Sequence, residues 1–144
     1  MGRKNSPSAN KELNELIAQY ETARAENRQL YLDGDQLADI ADQYAAGRKF
    51  NEAQEVITYG LHLHPDSTDL LVEQAYLYLD TGKIPLAKKV VESITDEYDT
   101  DVKMLKAELM LNEGQLENAR NVLDTIEDAD ELETLSLIHI SEPT

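Results

Sequence analysis

An all-α fold of repeated helical hairpins, with an extra N-terminal helix, is what three features of this 144-residue chain predict. The first is self-similarity. Ala41-x-x-Tyr44 and Phe50-x-x-Ala53 recur as Ala75-x-x-Tyr78 and Ile84-x-x-Ala87, then as Ala107-x-x-Met110 and Leu116-x-x-Ala119. Ala53 and Ala87 lie 34 residues apart (87 − 53), and Ala87 and Ala119 lie 32 apart (119 − 87). A period near 34 with two helical segments per unit is the signature of a helical solenoid. The second feature is the apolar spacing inside each unit, which follows helical periodicity. The third is punctuation: a glycine between the two segments at Gly47, Gly82 and Gly114, and Pro65 after the first unit.

Residues 1–8 (MGRKNSPS) carry no apolar period and read as a disordered tail. Met1-Gly2-x-x-x-Ser6 fits the loose N-myristoylation pattern, but no other feature points to a membrane anchor. From residue 9 to 32, Leu13, Leu16, Ile17, Tyr20, Ala23 and Leu30 fall at helical spacing and do not match the repeat. This segment is expected to be a helix capping the open end of the stack. In Asp33-Gly34-Asp35, glycine is expected to end that helix and aspartate to cap the next.

Three units are expected over residues 33–67, 68–99 and 100–133, followed by a truncated fourth. In the first, Leu37, Ile40, Ala41 and Tyr44 stripe one helix, and Phe50, Ala53, Val56, Ile57 and Leu61 stripe its partner. Pro65 stops the pair because proline cannot continue a helix. The second unit uses Leu70, Leu71, Ala75 and Tyr78, then Ile84, Ala87, Val90, Val91 and Ile94, with Pro85 in a first turn where its missing N–H is harmless. The third uses Val102, Leu105, Ala107, Leu109 and Met110, then Leu116, Ala119, Val122, Leu123 and Ile126. Small residues at Ala41, Ala53, Ala75, Ala87, Ala107 and Ala119 let the paired helices approach closely.

The formal net charge of −16 repels phosphate backbones and anionic lipid, so neither nucleic acid nor a membrane surface is an expected partner. There are no cysteines, which removes disulfides, thiolate metal sites and thiol nucleophiles together. No stretch approaches about 18 apolar residues and no secretory leader is evident, so a cytoplasmic location is expected.

Catalytic chemistry is not expected either. His62 and His64 are two apart and would point about 200° from one another on a helix, so they cannot share an ion. The aspartates around Asp33, Asp35, Asp39 and Asp42 lack the ligand spacing of a calcium loop. No serine–histidine pair and no glycine-rich phosphate loop is present. No catalytic residue, metal site or cofactor is therefore assigned.

The motifs quoted above resemble the tetratricopeptide repeat, over roughly 100 residues. The resemblance implies a right-handed solenoid whose first helices line a concave face, and a non-catalytic adaptor or scaffold for protein–protein interaction. Departures from the pattern are Gly60 in place of a small alanine, Gly47 one residue early, and Gln74, Lys103 and Lys106 where apolar side chains are usual. By the resemblance, Ala38, Asp42 and Ala45, then Val72, Tyr76 and Leu79, then Met104, Glu108 and Leu111 face inward. A peptide groove is expected there, with an apolar wall from Val72, Tyr76, Leu79, Met104 and Leu111 and acidic contacts from Asp42, Asp80 and Glu108. The same side chains could instead serve packing between hairpins. Relatives that clamp a carboxylate tail use Lys and Asn at positions that here hold Ala38, Asp42, Val72 and Tyr76. A protein or peptide partner with an apolar and basic segment is the expected ligand.

Residues 135–144 (LSLIHISEPT) resemble the translation of an adapter used in sequencing libraries, so the chain is expected to be a C-terminally truncated fragment. Two further readings follow. These repeats could be the targeting or regulatory arm of a larger protein, an enzyme included, or the open end could drive self-association.

Overall fold

The structure, a computed structural model, describes residues 7–126. Seven α-helices and no strand occur among them: α1 Pro7–Ala25, α2 Gly34–Ala46, α3 Phe50–Leu63, α4 Thr68–Asp80, α5 Ile84–Ser93, α6 Thr100–Asn112 and α7 Leu116–Asp124. The tail at residues 1–6, the start of a fourth unit and the adapter-like stretch lie outside the described residues. Helices pair as α2–α3, α4–α5 and α6–α7; the first helices α2, α4 and α6 also stack on one another, and α3 and α5 each touch the next hairpin.

The alanines carry the hairpin contacts. Ala41, Ala53, Ala75, Ala87, Ala107 and Ala119 are all buried, each at most 2% exposed. Around them the core passes from Leu37, Ile40, Val56, Ile57 and Leu70 to Val91, Ile94, Val102 and Leu105. It narrows to Ala107, Ala119 and Leu123 at the last hairpin.

The first helices of the hairpins, α2, α4 and α6, start on side-chain caps. Ser67 Oγ accepts from the Leu70 N–H at 3.3 Å and Asp99 Oδ1 from the Val102 N–H at 3.2 Å. At α2 the Asp33 N–H donates to Gln36 Oε1 at 2.9 Å. Each hairpin turn closes in the same way, with a residue in the left-handed region and an N–H reaching back five residues. Lys83 N bonds the Tyr78 carbonyl at 2.7 Å past Gly82 (φ 76°), and Gln115 N bonds the Met110 carbonyl at 2.8 Å past Gly114 (φ 77°). In the first turn the left-handed residue is Arg48 (φ 62°), with Lys49 N bonding the Tyr44 carbonyl at 2.8 Å. Gly47, one position early, has an ordinary φ of −86°.

The leading helix corrects two expectations. It begins at Pro7, inside the segment read as a tail, and it stops at Ala25 instead of running to residue 32. Asn27 turns left-handed (φ 53°), and the Arg28 N–H returns to the Ala23 carbonyl at 2.8 Å. Leu30 and Leu32 still pack on the core, but from a non-helical strap that α3 and the residue after it hold. Tyr59 Oη donates to the Leu30 carbonyl at 2.9 Å, and His64 Nε2 donates to the Leu32 carbonyl at 2.8 Å. Gly34, expected to end the preceding helix, is the first residue of α2. It is small because a Cβ there would sit 2.6 Å from Ser67 Oγ at the start of α4.

Candidate interaction site

Offsetting each first helix by its start aligns Asp42, Tyr76 and Glu108 as the same position in successive hairpins. They line one side of a cavity of about 450 Å³ between α2, α4 and α6. Its floor is Ala41, Ala45, Ala53 and Ile57, and its walls add Val72, Glu73, Asp80 and Asp101. The small alanines that let helices approach thus also leave the space.

Of the residues expected to form a groove, the fold brings together Asp42, Val72, Tyr76, Asp80 and Glu108. Val72 takes part from a nearly buried position, 2% exposed, within the α4–α6 core. Leu79 packs against that same core, Met104 packs against Ala107, Ala119 and Leu123, and Leu111 stands 39% exposed outside the cavity. Ala38, expected to face inward, is wholly buried with Leu37 and Tyr20. The wall is therefore more acidic and less apolar than the spacing suggested.

Glu73 and Asp101 are additions to the expected set. Glu73, Tyr76 and Asp80 follow the i, i+3, i+7 rhythm of one helix face, a signal readable in the sequence. Asp101 sits in the first turn of α6, where an acidic residue is already explained by the helix dipole.

The cavity is electrostatically negative at its centre. Burial raises the Tyr76 pKa far above its ordinary 10.0, and the charges of Glu108, Asp101 and Glu73 raise it further. Glu108 is also raised, first by the protein packed around it and then by the Asp80 carboxylate, although its outer surface remains open to solvent. Both shifts have one physical cause: anionic forms are costly where water is thinned and carboxylates converge.

Gln74, Lys103 and Lys106, the polar departures from the repeat pattern, do not enter the cavity. Gln74, 6% exposed, exchanges two amide hydrogen bonds with Gln54 at 2.9 and 3.0 Å, joining the second hairpin to the first. Lys103 Nζ donates to the Thr125 carbonyl at 3.0 Å and lies 6.0 Å from the Tyr98 ring centroid. Among the described residues no group of three or more His, Asp or Glu is placed to hold a metal ion. No helix among them is long and apolar enough to cross a membrane.

Comparison with known proteins gives a match to one family model, described as tetratricopeptide repeat, over residues 44–109. No curated protein and no solved structure matches the chain. The matched span runs from Tyr44 in α2 to Leu109 in α6, across two of the left-handed turns and four of the six buried alanines. Over residues 44–109 the hairpins of this chain match the tetratricopeptide repeat.

Proposed function

We propose that this chain is a non-catalytic adaptor whose acidic cavity receives a peptide segment of another protein, one carrying basic residues beside apolar ones. The repeat family serves protein–protein interaction in general. The observation that supports the finer reading is the convergence of Asp42, Glu73, Asp80, Asp101 and Glu108 on one cavity beside Tyr76. A lysine or arginine entering there meets several carboxylates, and Ala45 and Tyr76 offer apolar surface to its neighbours. A carboxylate-bearing tail would be repelled.

Selection from a displayed random-peptide library tests this. Binders should be enriched in Lys and Arg next to aliphatic residues and should weaken as salt rises. Asp80→Asn with Glu108→Gln should weaken them about tenfold without lowering the melting temperature. Binders without basic residues, or binders indifferent to both substitutions, would refute the assignment. Val72→Glu is unsuitable as a probe, because Val72 is core.

A further inference from the structure

A second, smaller cavity of about 140 Å³ lies where α1 ends against α3, bounded by Tyr20, Arg24, Asn27, Arg28 and Tyr59 among others. It opens away from the acidic groove. Ala53 and Ile57 of α3 line the groove, whereas Tyr59 is two residues beyond Ile57, about 200° around the same helix.

Tyr20 is the informative residue. It is 5% exposed, and its hydroxyl is buried with no hydrogen-bond partner. A buried donor in that state is uncommon and calls for a missing acceptor. Tyr59, with its ring centroid 6.3 Å away, does not supply one: its hydroxyl donates to Leu30, and no hydrogen bond joins the two tyrosines. Burial raises the Tyr20 pKa and the charge of Arg24, which lines the same cavity, pulls it back.

The two arginines converge on the cavity because Asn27 reverses the chain and folds Arg28 over the end of α1. Neither is fully engaged. Arg24 meets Glu55 at 3.6 Å with both side chains half exposed, a weak pair. Arg28 uses only Nε, on Glu26 at 2.9 Å, and a guanidinium has five N–H donors.

We infer that this pocket binds a small oxyanion, the carboxylate or phosphate group of a ligand, with Tyr20 Oη donating to it from below and Arg24 and Arg28 closing over it. The size suits one such group, and the three donor side chains match an acceptor with several lone pairs. Glu55 and Glu26 are the anions it must displace or share. The site is independent of the groove, so both could be occupied together.

Amide NMR of the full chain, titrated separately with inorganic phosphate and with acetate at constant ionic strength, tests the inference. Saturable shifts should centre on residues 27–30 and 59. Arg28→Gln should weaken binding about tenfold and Tyr20→Phe about fivefold. A stronger response to phosphate identifies a phosphate group as the natural ligand, and a stronger response to acetate identifies a carboxylate. If Tyr20→Phe fails to fold, the half-exposed Arg28 still carries the test. Shifts that never saturate, or that survive Arg28→Gln unchanged, would overturn the inference and leave Tyr20 bonded to a trapped water only.

Discussion

The Tyr44 hydroxyl donates to a Glu21 carboxylate oxygen at 2.6 Å, fastening the leading helix to the first hairpin. Tyr44 is 7% exposed and its carbonyl also closes the α2–α3 turn. One residue therefore serves both the cap and the repeat. Tyr44→Phe keeps the ring and the turn but removes the charged hydrogen bond, so it should cost about 1–3 kcal/mol. Chemical denaturation measures this. Glu21→Gln should cost less, since a neutral acceptor remains, and equal losses would show that packing rather than the bond matters.

Arg48 holds a left-handed backbone that glycine occupies in the other two turns. Arg48→Gly should therefore stabilise the first hairpin by about 1 kcal/mol, the strain of a side chain in that region. The gain is reduced by losing the guanidinium stacked 5.8 Å from the Phe50 ring centroid. Gly47→Ala should add about 0.5 kcal/mol, because its φ of −86° suits alanine and the nearest contact to a Cβ is 3.6 Å. A double variant that melts below wild type would contradict this account of the turn.

Gly60 lies inside α3 against the next hairpin. A Cβ there would stand 2.8 and 3.0 Å from the two methyl carbons of Leu70, which is fully buried. Alanine gains about 1 kcal/mol of helix propensity but overpacks the seam by about 1–3 kcal/mol. Gly60→Ala should thus be destabilising by about 1 kcal/mol, taking the difference of those two terms. Combining it with Leu70→Val should give a double variant more stable than the two single losses added together, and simple additivity would sink the explanation.

Alkaline pH should loosen the fold. Tyr76 and Tyr44 are both raised above 10.0, burial being the largest cause for each. Unfolded tyrosines ionise near 10 while these keep their protons, so the unfolded state binds fewer protons above that pH. Their contribution is complete below pH 10 and is lost as the pH climbs beyond it. Melting temperature followed against pH should fall above 10, with a shallower fall for Tyr76→Phe. Glu108, raised above 4.5, works in the carboxylate range: its ionisation disfavours the fold as pH rises. Glu108→Gln should consequently melt higher than wild type at neutral pH and lose that advantage in acid.

Part of the candidate site is legible in the sequence. Asp42, Tyr76 and Glu108 align by the repeat alone, since equivalent positions on stacked helices face the same way. Leu79, Met104 and Leu111 show where spacing stops helping. A first helix in the stack meets its hairpin partner and both neighbouring hairpins, so residues one step from the core stripe can be claimed by any of them. Leu79 and Met104 go to packing, and the cavity takes Glu73 and Asp101 instead.

The repeat period, the alanine pairs and Pro65 determined the hairpins, because each encodes a local requirement: close helix approach, or a helix stop. Long-range approach decided the rest. Gly34 is small for Ser67, Gly60 for Leu70, and Gln74 is buried because Gln54 answers it, all across hairpin boundaries. The strap at residues 26–33 likewise depends on Tyr59 and His64, which lie far along the chain. Periodicity records which face of a helix is covered; only the tertiary structure supplies the atoms that cover it.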